Sequence, residues 1–116
     1  MKPIRLLLCV LLLSLPVAAR ANPHRCEDTQ VRCFIKKYWG GDDREALAVA
    51  RCESGYDPRA RNGSHFGLFQ LSRTYHEGRA ASLGYDWSAM DDPGKNTRVA
   101  FSLWREQGWG PWVCRP

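Results

Sequence analysis

Ala48-Val-Ala-Arg-Cys-Glu-Ser-Gly-Tyr-Asp-Pro-Arg-Ala60 and, one loop later, Gly67-Leu-Phe-Gln-Leu71 are the stretches on which the reading of this chain turns. The first is the end of an apolar helix that carries a carboxylate, Glu53, on its last turn, where aromatic and aliphatic neighbours can partly desolvate it. Desolvation disfavours the charged form of a carboxyl group, and a carboxyl that keeps its proton near neutral pH can serve as a general acid. Glu53 is therefore the candidate acid. Between Gly55 and Gly67 the chain carries Asp57-Pro58, Asn62-Gly63 and Ser64. That density of turn formers predicts an ordered loop rather than a helix or strand.

Outward from this centre the patterning is helical. Val31, Phe34, Ile35 and Tyr38 fall at i, i+3, i+4 and i+7, one helical face, which Gly40-Gly41 ends. A second helix is predicted from a cap at Asp42, with Glu45 at its third position and Ala46, Leu47, Val49 and Ala50 on its apolar side, ending around Glu53. Ser72 is placed to cap a short third helix over residues 74–81, and residues 85–91 read as loop after Gly84. Asp92-Pro93 opens a fourth helix, with Val99, Ala100, Leu103 and Trp104 on one face and Gly108 past its end. No stretch alternates with period two long enough for a sheet of several strands. The fold class expected is all-α, a small single domain.

The N-terminus predicts a signal peptide over residues 1–21. Lys2 and Arg5 precede an apolar run from Leu6 to Val17, too short to span a bilayer, and Ala19-Arg20-Ala21 is the small-x-small pattern cut by signal peptidase. Cys9 leaves with that leader. The mature domain is then 22–116, secreted or periplasmic, with no stable membrane anchor. It keeps 14 basic against 12 acidic side chains, so the +5 of the whole chain falls to +2 and nucleic-acid binding loses its main support. Cys26, Cys33, Cys52 and Cys114 remain, an even number in an exported protein, which predicts two disulfides. Their spacing lacks the close pairs of a zinc site, so no metal and no cofactor is expected. His24, His65 and His76 lack a partner pattern and read as surface residues, His65 with a possible loop contact.

The motifs resemble a known group. Glu53-Ser54, then Asp57-Pro58-Arg-Ala60, then Gly67-Leu68-Phe69-Gln70-Leu71 resemble the soluble lytic transglycosylase signature within the lysozyme-like superfamily. Asp92-Pro93 with Asn96 is similar to that family's later helix, and Gly108-Trp-Gly-Pro-Trp112 to the closing segment of small lysozyme-like domains. Cysteine directly before the glutamate resembles domains of the resuscitation-promoting-factor type. The resemblance covers residues 45–114 and leaves 22–41 unmatched.

It implies a lysozyme-like fold and cleavage of the MurNAc-GlcNAc β-1,4 bond in peptidoglycan glycan strands, by a protein acting as a monomer. Glu53 would protonate the bridging oxygen and then act as base on the muramyl 6-hydroxyl, with Ser54 supporting the site. Gly67 would let the backbone approach the sugar, and Gln70 would offer both an amide donor and a carbonyl acceptor. Asn96 either reaches the site or holds its own backbone. Of the aromatic side chains, Tyr85 and Trp109 are the candidate sugar contacts. The resemblance also implies a Cys52–Cys114 disulfide, which leaves Cys26 with Cys33. Seven residues of continuous helix would put those two Cα atoms about 10.5 Å apart, beyond the roughly 7 Å limit. Helix one must therefore start after Cys26, or the pairing is crossed.

A glycosidase that uses water needs a second carboxylate, about 5 Å from the acid in a retaining enzyme and farther in an inverting one. Asp57, Glu77, Asp86 and Asp91 are the candidates, none convincing; Asp57 belongs to the Asp-Pro turn. That lack, together with what the resemblance implies, favours a lytic transglycosylase giving 1,6-anhydromuramyl ends. Its rivals are a lysozyme-type hydrolase, a non-catalytic wall-binding module and a structural secreted scaffold.

Overall fold

Asp92 and Pro93 start the longest helix as the sequence requires. The Asp92 carboxylate accepts from the Lys95 N–H at 2.8 Å, Pro93 takes the first turn, and Gly108, at φ 62°, closes the helix by donating its N–H to Trp104. The computed structural model describes Cys26 and residues 30–116. The expected leader, the boundary at Asn22 and His24 lie outside the described residues.

Four α-helices carry the fold: α1 (Val31–Trp39), α2 (Arg44–Ser54), α3 (Arg73–Ser82) and α4 (Pro93–Gln107). The described residues are mainly helical, as the patterning predicts, and α1 packs chiefly against α4. Val99, Ala100 and Leu103 of α4 are buried with Ile35 of α1, Val49 and Ala50 of α2, and Leu68 and Phe69 from the loop before α3. Trp39, at the end of α1, anchors an aromatic cluster. Its ring lies 5.6 Å from Phe69 and 5.8 Å from Trp109, both stacked, and 5.0 Å from Phe101 edge-on. Large rings let a domain of this size bury apolar area that a small aliphatic core cannot supply.

Two disulfides staple the frame, Cys26–Cys33 and Cys52–Cys114, with Cα separations of 5.6 and 5.9 Å. The geometric obstacle to the first is absent because α1 begins at Val31, beyond Cys26. No helix among the described residues is long and apolar enough to cross a membrane.

Three local expectations are corrected. The segment between Gly55 and Gly67, read as loop, contains two short strands, β1 (Arg61–Asn62) and β2 (His65–Phe66), which with β3 (Leu71–Ser72) form a three-stranded antiparallel sheet in the order β1-β2-β3. Asn62 pairs with His65 across Gly63-Ser64, and Phe66 pairs with Leu71. Strands of two residues are too short to show an alternating pattern, although Asn-Gly is a hairpin signal. Second, Asp42 does not cap α2. Residues 40–42 form a 3-10 turn, Asp43 takes the cap position without a side-chain hydrogen bond, and the Glu45 carboxylate accepts from Trp109 Nε1 at 2.8 Å. Third, Trp87–Asp91 is a 3-10 helix, started by Asp86, whose carboxylate accepts from the Ser88 N–H, and held by burial of Trp87 and Met90.

Asn96 ties the halves together. It is fully buried on α4, its Oδ1 accepts from the Phe69 N–H at 3.0 Å, and its Nδ2 donates to the carbonyls of Phe66 and Met90 at 3.0 and 3.1 Å. Removing that amide strands three buried backbone groups. Asn96→Ala is expected to lose about 2–4 kcal/mol of stability in denaturant titration; a loss below about 0.5 kcal/mol would show that the loop holds itself.

Candidate active site

Glu53 sits on the last turn of α2, half-buried, and three contacts fix its surroundings. Gly55 ends the helix in the left-handed region at φ 60°, turning the chain away just past the carboxylate. The Ser54 hydroxyl is shared between the carbonyls of Ala50, at 2.9 Å, and Leu68, at 2.7 Å, which pins the helix end to the loop opposite. Glu53 Oε1 accepts the N–H of Cys114 at 3.1 Å, and the Cys52–Cys114 disulfide holds that N–H in place. Oε2 makes no hydrogen bond among the described residues.

The carboxylate opens into a cleft of about 420 Å³ walled by Arg61, Asn62, His65, Gln70, Val113 and Cys114. Gln70 is the most constrained of these, only 8% exposed and in the left-handed region at φ 48°, where a non-glycine residue is unusual. Its Nε2 donates to the carbonyls of Ala60 and Gly67 at 2.9 and 3.0 Å. Both amide hydrogens are thus used within the fold, and the side chain has only its carbonyl oxygen left to offer a ligand. The expected donor role for Gln70 is corrected accordingly.

Other expected contacts have different places. Gly67 is buried, and a Cβ there would lie 2.3 Å from both Asn96 Nδ2 and the Met90 carbonyl oxygen. The missing side chain makes room for the Asn96 amide, and φ +74° favours glycine independently. Asn96 has no surface to present to a ligand. Tyr85 does not line the cleft: its hydroxyl accepts from Arg98 Nη1 at 2.9 Å, and Arg98 and Lys95 lie against its ring. Trp109 belongs to the aromatic cluster, stacked on Trp39 and bonded to Glu45. The structure therefore brings Glu53, Ser54 and Gln70 together at the cleft. It uses Gly67 and Asn96 to fix the loop that carries Gln70, and leaves Tyr85 and Trp109 outside the cleft.

Arg61, Asn62 and Val113 are cleft residues that sequence reasoning missed. Arg61 pairs with Asp91 at 3.2 Å and lies over the Phe66 ring at 4.6 Å. The Asn-Gly dipeptide beside Arg61 and Asn62 was the available signal, since it marks the hairpin that turns them towards Glu53.

Glu53 is the only carboxylate lining the cleft among the described residues. The four other candidates are engaged elsewhere: Asp57 accepts from the Arg59 N–H in its own turn, Glu77 pairs with Arg73, Asp86 starts the 3-10 helix and Asp91 holds Arg61. No group of three or more histidine, cysteine or acidic side chains is arranged to hold a metal ion among the described residues.

A fold of this kind, with a lone acid at a helix end facing a cleft, is that of a lysozyme-like glycosidase. A family model described as a lysozyme-like domain matches residues 39–114, and the chain belongs to that family. Membership points to a glycosidase-type enzyme whose substrate is peptidoglycan, and together with two disulfides it is consistent with a place outside the cytoplasm. Neither the curated proteins nor the solved structures contain a significant match to the chain.

The Cys52–Cys114 bridge closes a loop of 62 residues in sequence separation and so constrains the unfolded chain. Replacing both cysteines by serine is expected to cost about 4 kcal/mol and to lower turnover further in the fraction that stays folded, because the Cys114 N–H is no longer held at Glu53. Equal specific activity per folded molecule would show that the tail does not position the acid.

Proposed function

We propose that this protein is an exported lytic transglycosylase that cleaves the MurNAc-GlcNAc β-1,4 bond and leaves 1,6-anhydromuramyl ends. The observation that supports the reading is the single carboxylate in the cleft: among the described residues no second acid lines it beside Glu53 to act as nucleophile or to activate water. The intramolecular reaction needs none, because the substrate supplies its own nucleophile.

Glu53 gives its proton to the glycosidic oxygen as the bond from that oxygen to muramyl C1 breaks. The resulting carboxylate takes the proton of the muramyl 6-hydroxyl as O6 bonds to C1. No water is consumed, and Glu53 ends protonated, ready for another strand. The Cys114 N–H fixes one carboxyl oxygen and leaves the other to exchange the proton, so acid and base duty fall to one atom on one face of the cleft. The Gln70 carbonyl is available to a hydroxyl or N-acetyl N–H of the bound sugar. Ser54 acts as a positioning residue through its bond to Leu68.

Residues 1–21 would direct export, and oxidation of the four mature cysteines would follow in that compartment. A water-using muramidase remains the alternative within the family.

Peptidoglycan sacculi treated with the protein are expected to release anhydro-muropeptides, detected by mass spectrometry. Glu53→Gln keeps an oxygen for the Cys114 N–H but has no proton to give, so turnover should fall at least about a hundredfold with the fold intact. Reducing-end products would reassign the enzyme as a hydrolase. Full activity in the variant would remove Glu53 from the mechanism.

A further inference from the structure

The cationic side chains are unevenly spread. α1 and α4, which pack against each other, carry Arg32, Lys36, Lys37, Lys95, Arg98 and Arg105 against one acid, Glu106. The rest of the described residues hold seven basic and nine acidic side chains. Charge separated in this way gives one side of a small domain a positive field that draws anions to it. No residue of α1 or α4 lines the Glu53 cleft, so this surface is distinct from it.

Within that surface lies a depression of about 550 Å³, lined by the apolar groups of Tyr38, Leu83 and Phe101 and by the guanidiniums of Arg98 and Arg105. Both arginines are exposed, and neither meets a carboxylate among the described residues. Both are nevertheless held in place. Arg98 Nη1 donates to the Tyr85 hydroxyl at 2.9 Å and its guanidinium lies over that ring at 5.5 Å, while Arg105 lies over Phe101 at 5.9 Å. Each keeps further N–H donors for a carboxylate. Arg79 is already committed, to Glu106 at 2.7 Å and Ser102 at 2.8 Å. That bond holds the Glu106 carboxyl below the usual carboxylate range, so it stays ionised on Arg79. Burial raises the Tyr38 hydroxyl above the usual tyrosine range and keeps it a neutral donor at the site.

We propose that this face is a second wall-binding surface, which takes the carboxylate-bearing peptides attached to the glycan rather than the glycan itself. The inference rests on peptidoglycan as the substrate, but not on the catalytic role of Glu53. Wall peptides are short and combine free carboxylates with small aliphatic side chains, the pairing that the depression offers. Arg98 and Arg105 stand seven residues apart on one face of α4, about 10.5 Å along its axis. Three residues of extended peptide span about the same length. Carboxylates at the two ends of such a stretch can each meet a guanidinium while the methyl groups between them cover Leu83 and Phe101. A flat anionic membrane would use the charge but not the concave apolar lining.

The test titrates the protein with the free tetrapeptide L-Ala-γ-D-Glu-meso-diaminopimelyl-D-Ala and follows backbone amide NMR shifts. Shifts are expected around Arg98, Phe101 and Arg105 and not around Glu53. The Arg98→Gln/Arg105→Gln double variant should weaken binding at least about tenfold with Tm unchanged, since two charge-assisted contacts are lost from exposed positions. Converting the peptide carboxylates to amides should do the same. In the Glu53→Gln background, which consumes no substrate, the arginine changes should cut retention on intact sacculi but not on peptide-stripped glycan. Shifts confined to the Glu53 cleft, or an affinity indifferent to both arginines or to amidation, would overturn the proposal. Capture by phosphatidylglycerol vesicles without any response to the tetrapeptide would overturn it in favour of a lipid headgroup. Binding to stripped glycan without a response to the tetrapeptide would remove this site alone, whereas no binding to sacculi, glycan or tetrapeptide would remove peptidoglycan as the substrate and this site with it.

Discussion

The rest of the structure depends on the buried amide of Asn96. From the first turn of α4 it holds Phe69 by its N–H and Phe66 and Met90 by their carbonyls, so that the loop between β2 and β3 is tied to the longest helix rather than to solvent. The amide can enter because Gly67 has no side chain in its way. With that loop fixed, the Leu68 carbonyl is where Ser54 can bond it, and the end of α2 is drawn against it. Gln70 follows in a left-handed conformation held by its own side chain. A polar group at the centre of a small core is tolerated because its two amide hydrogens and its oxygen are used; the same side chain left unpaired would cost several kcal/mol.

Glu53 is thus positioned from two directions. The Asn96-organised loop sets the helix that carries it, and the tail, clamped by Cys52–Cys114, supplies the N–H on one of its oxygens. The tail itself is seated by Trp112, whose Nε1 donates to the Phe69 carbonyl at 3.0 Å. Phe69 is therefore bound at both its N–H and its carbonyl by side chains distant in sequence.

The helices were legible in the sequence because their signals are local: the i, i+3, i+4, i+7 stripe from Val31 to Tyr38, and the Asp92-Pro93 start and Gly108 end of α4. Glu53 was legible as a candidate through its place between an apolar helix and a turn-rich segment. The mini-sheet was not, since two-residue strands have no periodicity to detect. Gly67 and Asn96 were marked as candidate sugar contacts, yet each is occupied with the other across 29 positions, a relation no local pattern encodes. Tyr85 and Trp109 are the candidate sugar contacts among the aromatic side chains, whereas packing puts one against Arg98 and the other inside the Trp39 cluster.

The central claim is that a single carboxylate cleaves the strand without water. The most direct test is to run the reaction on purified glycan strands in heavy-oxygen water and weigh the new ends. Anhydromuramyl termini free of solvent oxygen are the result expected of Glu53 acting alone as acid and base. One solvent oxygen at each new reducing end would contradict it and require a water-activating group that the cleft, as described, does not contain.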